Sequence, residues 1–127
     1  MDVPFNLQES KRINMNEHAW IKEFPAAITV CDREGIILEM NDGAAKAYEQ
    51  DGGYNLIGMN MLDCHPDPAR KKTERLLTAR TKNVYTIEKK NIKKMIYQSP
   101  WYKDGEYAGF VEISLEIPFD PPHFIRE

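Results

Sequence analysis

The residues of this chain with the most chemical potential lie in one short run, Asp63-Cys64-His65-Pro66. A thiolate and an imidazole are metal ligands and potential nucleophiles, but a structural zinc site needs four ligands at paired spacing. The two cysteines and three histidines do not have that spacing: Cys31, Cys64, His18, His65 and His123. The sequence therefore predicts no metal site and leaves the cysteines as structural thiols, with a redox pair as the alternative.

Catalytic motifs are also missing from the sequence. It has no Ser-His-Asp order, nucleophile elbow, P-loop or Gly-rich dinucleotide turn. The acidic residues Glu39, Asp42 and Asp63 could act with His65 as an acid–base group, but acidic loop residues are usually solvated. We therefore expect a protein that binds and signals, and not an enzyme.

Length and composition favour one ordinary domain. The chain has 127 residues, enough for a core without disulfides or metals, and is 42% hydrophobic and 29% charged, as soluble globular proteins are. No apolar run approaches the ~20 residues of a membrane-spanning helix. The first residues lack the basic and then apolar order of a signal peptide, so the sequence predicts a cytoplasmic protein with no membrane contact.

A basic segment is concealed by the net charge of −3: residues 70–94 have ten basic and two acidic residues. Such a segment could bind nucleic acid or an acidic partner. The low isoelectric point and the lack of interleaved aromatic residues argue against nucleic acid. A solvated helix face followed by a lysine-rich hairpin is the other interpretation.

The first half of the chain must position these residues on a hairpin and short helices. Alternating apolar and polar residues predict a strand over residues 28–31, and a second strand over 36–40. The turn between them is Asp32-Arg33-Glu34-Gly35, in which Gly35 can take a positive φ. Asn41 then caps a short helix that ends before Gly52-Gly53.

The second half reads as one helix and three strands. Asp67 as cap and Pro68 in the first turn predict a helix over 69–80. Strands are expected over residues 84–88, 92–102 and 107–117. Asp104-Gly105 predicts a tight hairpin, and Pro100 implies an edge position or a bulge.

This order of elements resembles a PAS domain, a sensor module of signalling proteins, over about residues 15–117. The resemblance rests on the order and spacing of several points: Asp32, Gly35, Asn41, Leu56-Ile57-Gly58 and Asp104-Gly105. The Cys-His-Pro run is similar to that of bacterial PAS domains in proteins with hemerythrin-like regions. The implied fold is α+β: a five-stranded antiparallel sheet, with short helices and one longer connecting helix on one face, plus an N-terminal helix.

Three parts of the chain follow from this resemblance. Residues 1–13 are expected to form a mobile arm, residues 14–117 a single PAS-like domain that includes a flanking helix over 14–24, and residues 118–127 a proline-rich tail. The implied function is binding of an unidentified small molecule or cofactor between sheet and helices, with signalling through a dimer or partner. The residues predicted to contact the ligand are Asn41, Tyr48, Met61, His65, Tyr97, Ser99 and Ile113.

The cofactor stays open at this point. Light-sensing PAS relatives use a Gly-x-Asn-Cys run, and here the thiol position is a methionine in Gly58-Met59-Asn60-Met61, which argues against a covalent flavin adduct. Haem-binding relatives place an axial histidine on or near the long helix, so His65 is a haem candidate. The alternatives for His65 are a hydrogen-bonding residue at the pocket rim and an uninvolved surface side chain.

Two further alternatives concern the function itself. The residues of the predicted pocket could form a filled core, in which case the chain would be a ligand-free interaction module. Its dimer interface would then include Met15, Trp20 and Phe24 on the N-terminal helix. Trp20 and Phe24 could also cover the sheet of their own chain.

Overall fold

The computed structural model describes residues 19–64 and 66–127. The predicted arm over 1–13, the start of the predicted helix over 14–24, and the side chains of Met15 and His65 lie outside the described residues. The described part opens with helix α1, Ala19–Lys22, and Phe24 and Pro25 then lead into the sheet.

Five antiparallel strands form the sheet, as the sequence predicted. They are β1 Ala27–Asp32, β2 Ile37–Met40, β3 Asn83–Lys89, β4 Ile92–Lys103 and β5 Glu106–Ile117. Their order is β2-β1-β5-β4-β3, so the first hairpin and the last three strands meet where β1 pairs with β5. This junction places residues distant in sequence side by side in the centre of the sheet.

Short helices and one longer helix follow the first hairpin. Helix α2 spans Asp42–Ala47, three 3-10 turns span Glu49–Asp51, Gly53–Leu56 and Met61–Cys64, and helix α3 spans Ala69–Ala79. The predicted cap of α2 is confirmed, because Asn41 Oδ1 accepts a hydrogen bond from the Ala44 amide. The predicted Asp67 cap of α3 was wrong: Pro68 stands at the cap, with no side-chain cap bond.

The predicted turns form where glycine and its neighbours permit positive φ angles. Asp104 and Gly105 have φ angles of 52° and 82°, as a two-residue hairpin turn requires. Pro100 lies in β4 beyond the first pair with β3, Asn83 with Gln98, so its missing amide costs no ladder bond on that side. A register shift follows at once between Trp101 and Tyr102, which confirms the expected bulge.

The hydrophobic core lies between the sheet and the helices at one end of the cavity described below. Cys31, Leu77 and Phe110 are its buried centre, and Tyr107 packs against them. The Tyr107 hydroxyl donates to the Leu77 carbonyl at 2.9 Å, which fixes the C-terminal end of α3 to the sheet. Leu77 is the buried residue of α3, and Leu76 packs beside it against the core.

Candidate functional site

Strand register decides which side chains of the sheet face the helices. Thr29 pairs with Glu112, and Glu112 pairs with Gln98 on the other side, so these three side chains share one face. They line the space below the helices. Because side chains alternate along a strand, those of the intervening residues belong to the other face of the sheet. We call the face of Thr29, Gln98 and Glu112 the inner face, and the opposite one the outer face.

The register places three of the predicted ligand contacts on the outer face, away from the helices. Tyr97 pairs with Ile113, and Ser99 lies two residues along β4 from Tyr97, so all three belong to the outer face. The prediction turned the most apolar face of β5 toward the helices. Because side chains alternate along a strand, an error of one residue moves every predicted contact to the wrong face.

A cavity of about 300 Å³ lies between the inner face and the helices. This volume falls at the lower end of the range of small-molecule sites. Its walls are mainly apolar, with a few polar groups: Thr29, Cys31, Ile37, Met40, Tyr48, Asp51, Leu56, Met61, Thr73, Leu76, Leu77, Gln98, Phe110, Val111 and Glu112. Two of the predicted ligand contacts, Tyr48 and Met61, are among them.

A polar cluster lies on one wall of this cavity. The Tyr48 hydroxyl donates to Glu112 Oε1 at 3.2 Å, and Gln98 Nε2 donates to Glu112 Oε2 at 2.7 Å. Asn83 Nδ2 in turn donates to Gln98 Oε1 at 2.8 Å, which fixes the orientation of the Gln98 amide. Two of these hydrogen bonds therefore end on one carboxylate in the middle of the sheet, and the third orients one of its two donors.

Burial and the Glu112 charge both act on the tyrosines near this cluster. Burial, followed by the charge of Glu112, raises the pKa of Tyr48 well above its ordinary value of 10.0. The same two causes raise the pKa of Tyr85 on β3. Both phenols therefore stay protonated at neutral pH, and Tyr48 acts as a hydrogen-bond donor to Glu112.

A wider groove continues from the cavity toward β3 and the N-terminal part of α3. It has a volume of about 780 Å³ and shares Thr29, Tyr48, Gln98 and Glu112 with the smaller cavity. Tyr85 and Ile87 on its floor are exposed. The Lys72 ammonium lies 5.3 Å from the centre of the Tyr85 ring, the separation of a cation–π contact.

Asn41, another predicted ligand contact, is buried with 2% of its surface exposed, but it does not line the cavity. Its Oδ1 accepts from the amides of Ile28 and Ala44, and its Nδ2 donates to the carbonyls of Ile21 and Ala26. These bonds use the full capacity of the amide side chain. Asn41 therefore joins α1, β1 and α2 and has no group left for a ligand.

The predicted interface residues of the N-terminal helix are accessible. Trp20 is 64% and Phe24 is 45% exposed, and their rings form an edge-to-face pair with centres 5.7 Å apart. The alternative that they cover their own sheet does not agree with this exposure. Met15, the third predicted interface residue, lies outside the described residues.

The described part of the chain contains one buried free cysteine and no group of possible metal ligands. Cys31 is a free, buried thiol, and burial raises its pKa, so it has the character of a structural thiol. Within residues 19–64 and 66–127, no three His, Cys, Asp or Glu side chains come together as metal ligands. Among the same residues, no helix has the length and apolar character needed to cross a membrane.

Glu112 and Gln98 were missed by the sequence analysis. The signal that could have found them is the position of Glu112, a charged residue flanked by Val111 and Ile113 in the strand with the clearest apolar pattern. A charge at the centre of a sheet needs hydrogen-bond partners.

No family model and no curated protein matches this chain. Solved structures do match it. The PAS domain of an HTR-like protein from Haloarcula marismortui is 17% identical, with a TM-score of 0.60 over 88% of this chain and 100% of that one. The PAS domain of BvgS from Bordetella pertussis is 18% identical, with a TM-score of 0.59 over 85% and 88% of the two chains.

A third match is the Aer2 receptor from Vibrio cholerae, described as a dual PAS-heme oxygen sensor. It is 18% identical to this chain, with a TM-score of 0.52 over 73% of this chain and 95% of that one. At identities this low, the likeness is one of fold.

Proposed function

The chain has the PAS fold, and we propose that it is a sensor module that binds a small, mainly apolar molecule in the cavity below the helices. The role is one of binding and signalling in the cytoplasm, and not catalysis. The observation that carries the proposal is the cavity of about 300 Å³, with apolar walls and the Tyr48–Gln98–Glu112 cluster on one side. Ligand sites in proteins typically combine these two features.

Helix α3 supplies the link from binding to signal. Thr73 and Leu76 of α3 line the cavity, while the helix is fixed to the sheet mainly at its C-terminal end through Leu77. A ligand that contacts both the sheet and α3 would favour one position of the helix over others. Such a difference in affinity between two states is what shifts their populations.

The proposal is tested by filling the cavity from the sheet. Thr29→Phe places an aromatic ring in the cavity, and Val30→Phe places the same ring on the outer face, which makes it the matched control. The probe is 2-phenylethanol, whose binding is followed by amide chemical shifts in ¹⁵N NMR spectra. We expect shifts at Leu76 and Phe110 in the wild type and in Val30→Phe, and none in Thr29→Phe.

Two results would contradict the proposal. One is a wild type whose spectrum does not respond to the probe at millimolar concentration, and the other is equal binding by both variants. Thermal unfolding of each variant checks that it is folded. Native mass spectrometry and an absorbance spectrum of the freshly purified wild type would detect a molecule already bound.

Haem remains a candidate for that bound molecule through His65. The Aer2 receptor is described as a PAS-heme oxygen sensor, and the Cys-His-Pro run of this chain precedes the longer helix. A Soret band in the absorbance spectrum that is lost in His65→Ala would support haem ligation. A spectrum without this band after haem is added would exclude it.

A second function, dimerisation without a ligand, is favoured by the exposed Trp20–Phe24 pair. Exposed aromatic residues are enriched in protein interfaces. If this pair forms an interface, Trp20→Ala shifts the protein from dimer to monomer in analytical ultracentrifugation. Tyr102→Ala, which removes another exposed aromatic side chain at the far end of the sheet, is the control. A monomeric wild type would refute this function.

A further inference from the structure

We propose that Glu112 makes the cavity selective for an organic cation: a molecule with an apolar body and an ammonium or guanidinium group that pairs with this carboxylate. The inference rests on the proposed ligand-binding function and adds the chemical class of the ligand.

Glu112 can accept more hydrogen bonds than the described part of the protein supplies to it. A carboxylate offers about four lone-pair sites on its two oxygens. Tyr48 occupies one site on Oε1, and Gln98 occupies one on Oε2. Each oxygen therefore keeps room for a further donor, which an ammonium or guanidinium group provides with N–H groups.

The negative charge of Glu112 is held by neutral hydrogen-bond donors. Both protein donors to Glu112 are neutral, and Asn83 orients the Gln98 amide so that its N–H₂ group faces the carboxylate. The ion pairs between described residues join Lys22 to Asp42, and Arg70 to Asp63 and Glu74, so none involves Glu112. Within the described part of the chain, its direct hydrogen-bond donors are thus neutral and no cation forms an ion pair with it.

The charged residues that line the cavity are acidic. Its described lining includes two carboxylates, Asp51 and Glu112, and no lysine or arginine. Lys46, Lys72 and Lys94 line the wider groove, which also borders Glu112, and none of the three lines the smaller cavity. An anionic ligand would meet like charge in the cavity, while a cation would gain a charge-assisted hydrogen bond in a partly desolvated site.

The apolar walls of the cavity determine what the rest of the ligand must be. Leu56, Leu76 and Phe110 contribute apolar surface next to the polar cluster. A ligand that places its cation on Glu112 therefore has an apolar body of modest size, such as an aralkyl amine. The cation fixes the orientation, and burial of the body supplies affinity.

The test compares three probes with one apolar body and different charges: 2-phenylethylammonium, 2-phenylethanol and 3-phenylpropionate. Dissociation constants are measured by NMR titration at pH 7 with the full chain. We expect the ammonium probe to bind wild type at least about tenfold more tightly than the alcohol, and the carboxylate to bind most weakly. This comparison in wild type needs no variant to fold.

Variants then assign the preference to one residue. Glu112→Gln keeps the shape and removes the charge, so the ammonium and the alcohol should bind it about equally. Glu116→Gln is the matched control, because Glu116 lies on the same face of β5 and lines the wider groove. It should retain the tenfold preference.

Each other outcome overturns a defined part of the inference. Equal binding of the alcohol and the ammonium by wild type would refute the cation selectivity and leave the cavity as an apolar site. A preference that survives in Glu112→Gln would assign the selectivity elsewhere. Failure of all three probes to bind wild type would refute the proposed function and the cation selectivity together.

Discussion

The two faces of the sheet are built from the same strands but differ in their polarity. The outer face presents Ile28, Val30 and Ile113, whereas the inner face at the same level presents Thr29 and Glu112. The side toward the helices, where a core is expected, is thus the more polar of the two. Its carboxylate, Glu112, accepts hydrogen bonds from Tyr48 and Gln98.

This difference shows that apolar content alone does not identify the side of a sheet that faces the helices. The inner face needs polar groups because it borders a cavity, and a buried polar group is tolerated only with hydrogen-bond partners. The outer face has no comparable network among the described residues. If the two faces differ in this way, substitutions of the same chemical kind should change the free energy of unfolding by different amounts on the two faces.

The largest effect is expected in the backbone that both faces share. Gly109 has a φ of 150°, and a Cβ atom there would overlap the Cys31 carbonyl oxygen and the Asp32 backbone. Gly109→Ala should therefore separate β1 from β5 and lower the free energy of unfolding by about 3 kcal/mol or more. Urea denaturation followed by circular dichroism measures the loss.

Gly105 provides the control for that experiment. It also has a positive φ, 82°, but no atom lies within 4 Å of an added Cβ. Gly105→Ala should cost only the strain of the left-handed backbone, about 1–2 kcal/mol. Equal losses in the two variants would mean that the close approach of β1 and β5 is not what Gly109 serves.

A smaller loss of stability is expected from removing the tyrosine hydroxyl that bonds to the inner face, and almost none from removing a tyrosine hydroxyl on the outer face. Tyr48→Phe leaves Glu112 with a single donor, and a hydrogen bond to a charged group contributes about 1.5–3 kcal/mol. Tyr97→Phe on the outer face removes a hydroxyl that bonds to no other described residue, so we expect a change within about 0.5 kcal/mol. Equal changes in the two variants, measured by urea denaturation, would remove the proposed contrast between the faces.

Much of the fold could be predicted from the sequence because its signals are local. Asp104-Gly105 determines a turn, Asn41 caps the helix that follows it, and alternation of side chains marks the strands. The start of α3 was less predictable. The backbone at Pro68 supplies the helix start without the side-chain bond expected of Asp67.

The site was predicted only in part, for a reason that is not local. Alternation in β5 separates two faces but does not state which one meets the helices. That choice depends on the pairing of Thr29 with Glu112, two residues 83 positions apart in the sequence. Tyr48 and Met61, both predicted as ligand contacts, line the cavity because they lie on the helical side, where no such choice arises.

The smallest effect, and the most specific for the inner face, is expected at alkaline pH. The pKa of Tyr48 is raised in the folded protein by burial and by Glu112, so its stabilising contribution is complete below pH 10, the ordinary pKa of the unfolded chain. As the pH rises above 10, the phenol ionises in the unfolded state first, and the contribution falls by up to about 1.4 kcal/mol per pH unit. The difference in free energy of unfolding between wild type and Tyr48→Phe should therefore be constant from pH 8 to 9.5 and smaller at pH 11. The other tyrosines ionise in both proteins and cancel in this difference, so a constant difference up to pH 11 would show that the pKa of Tyr48 is not raised in the folded protein.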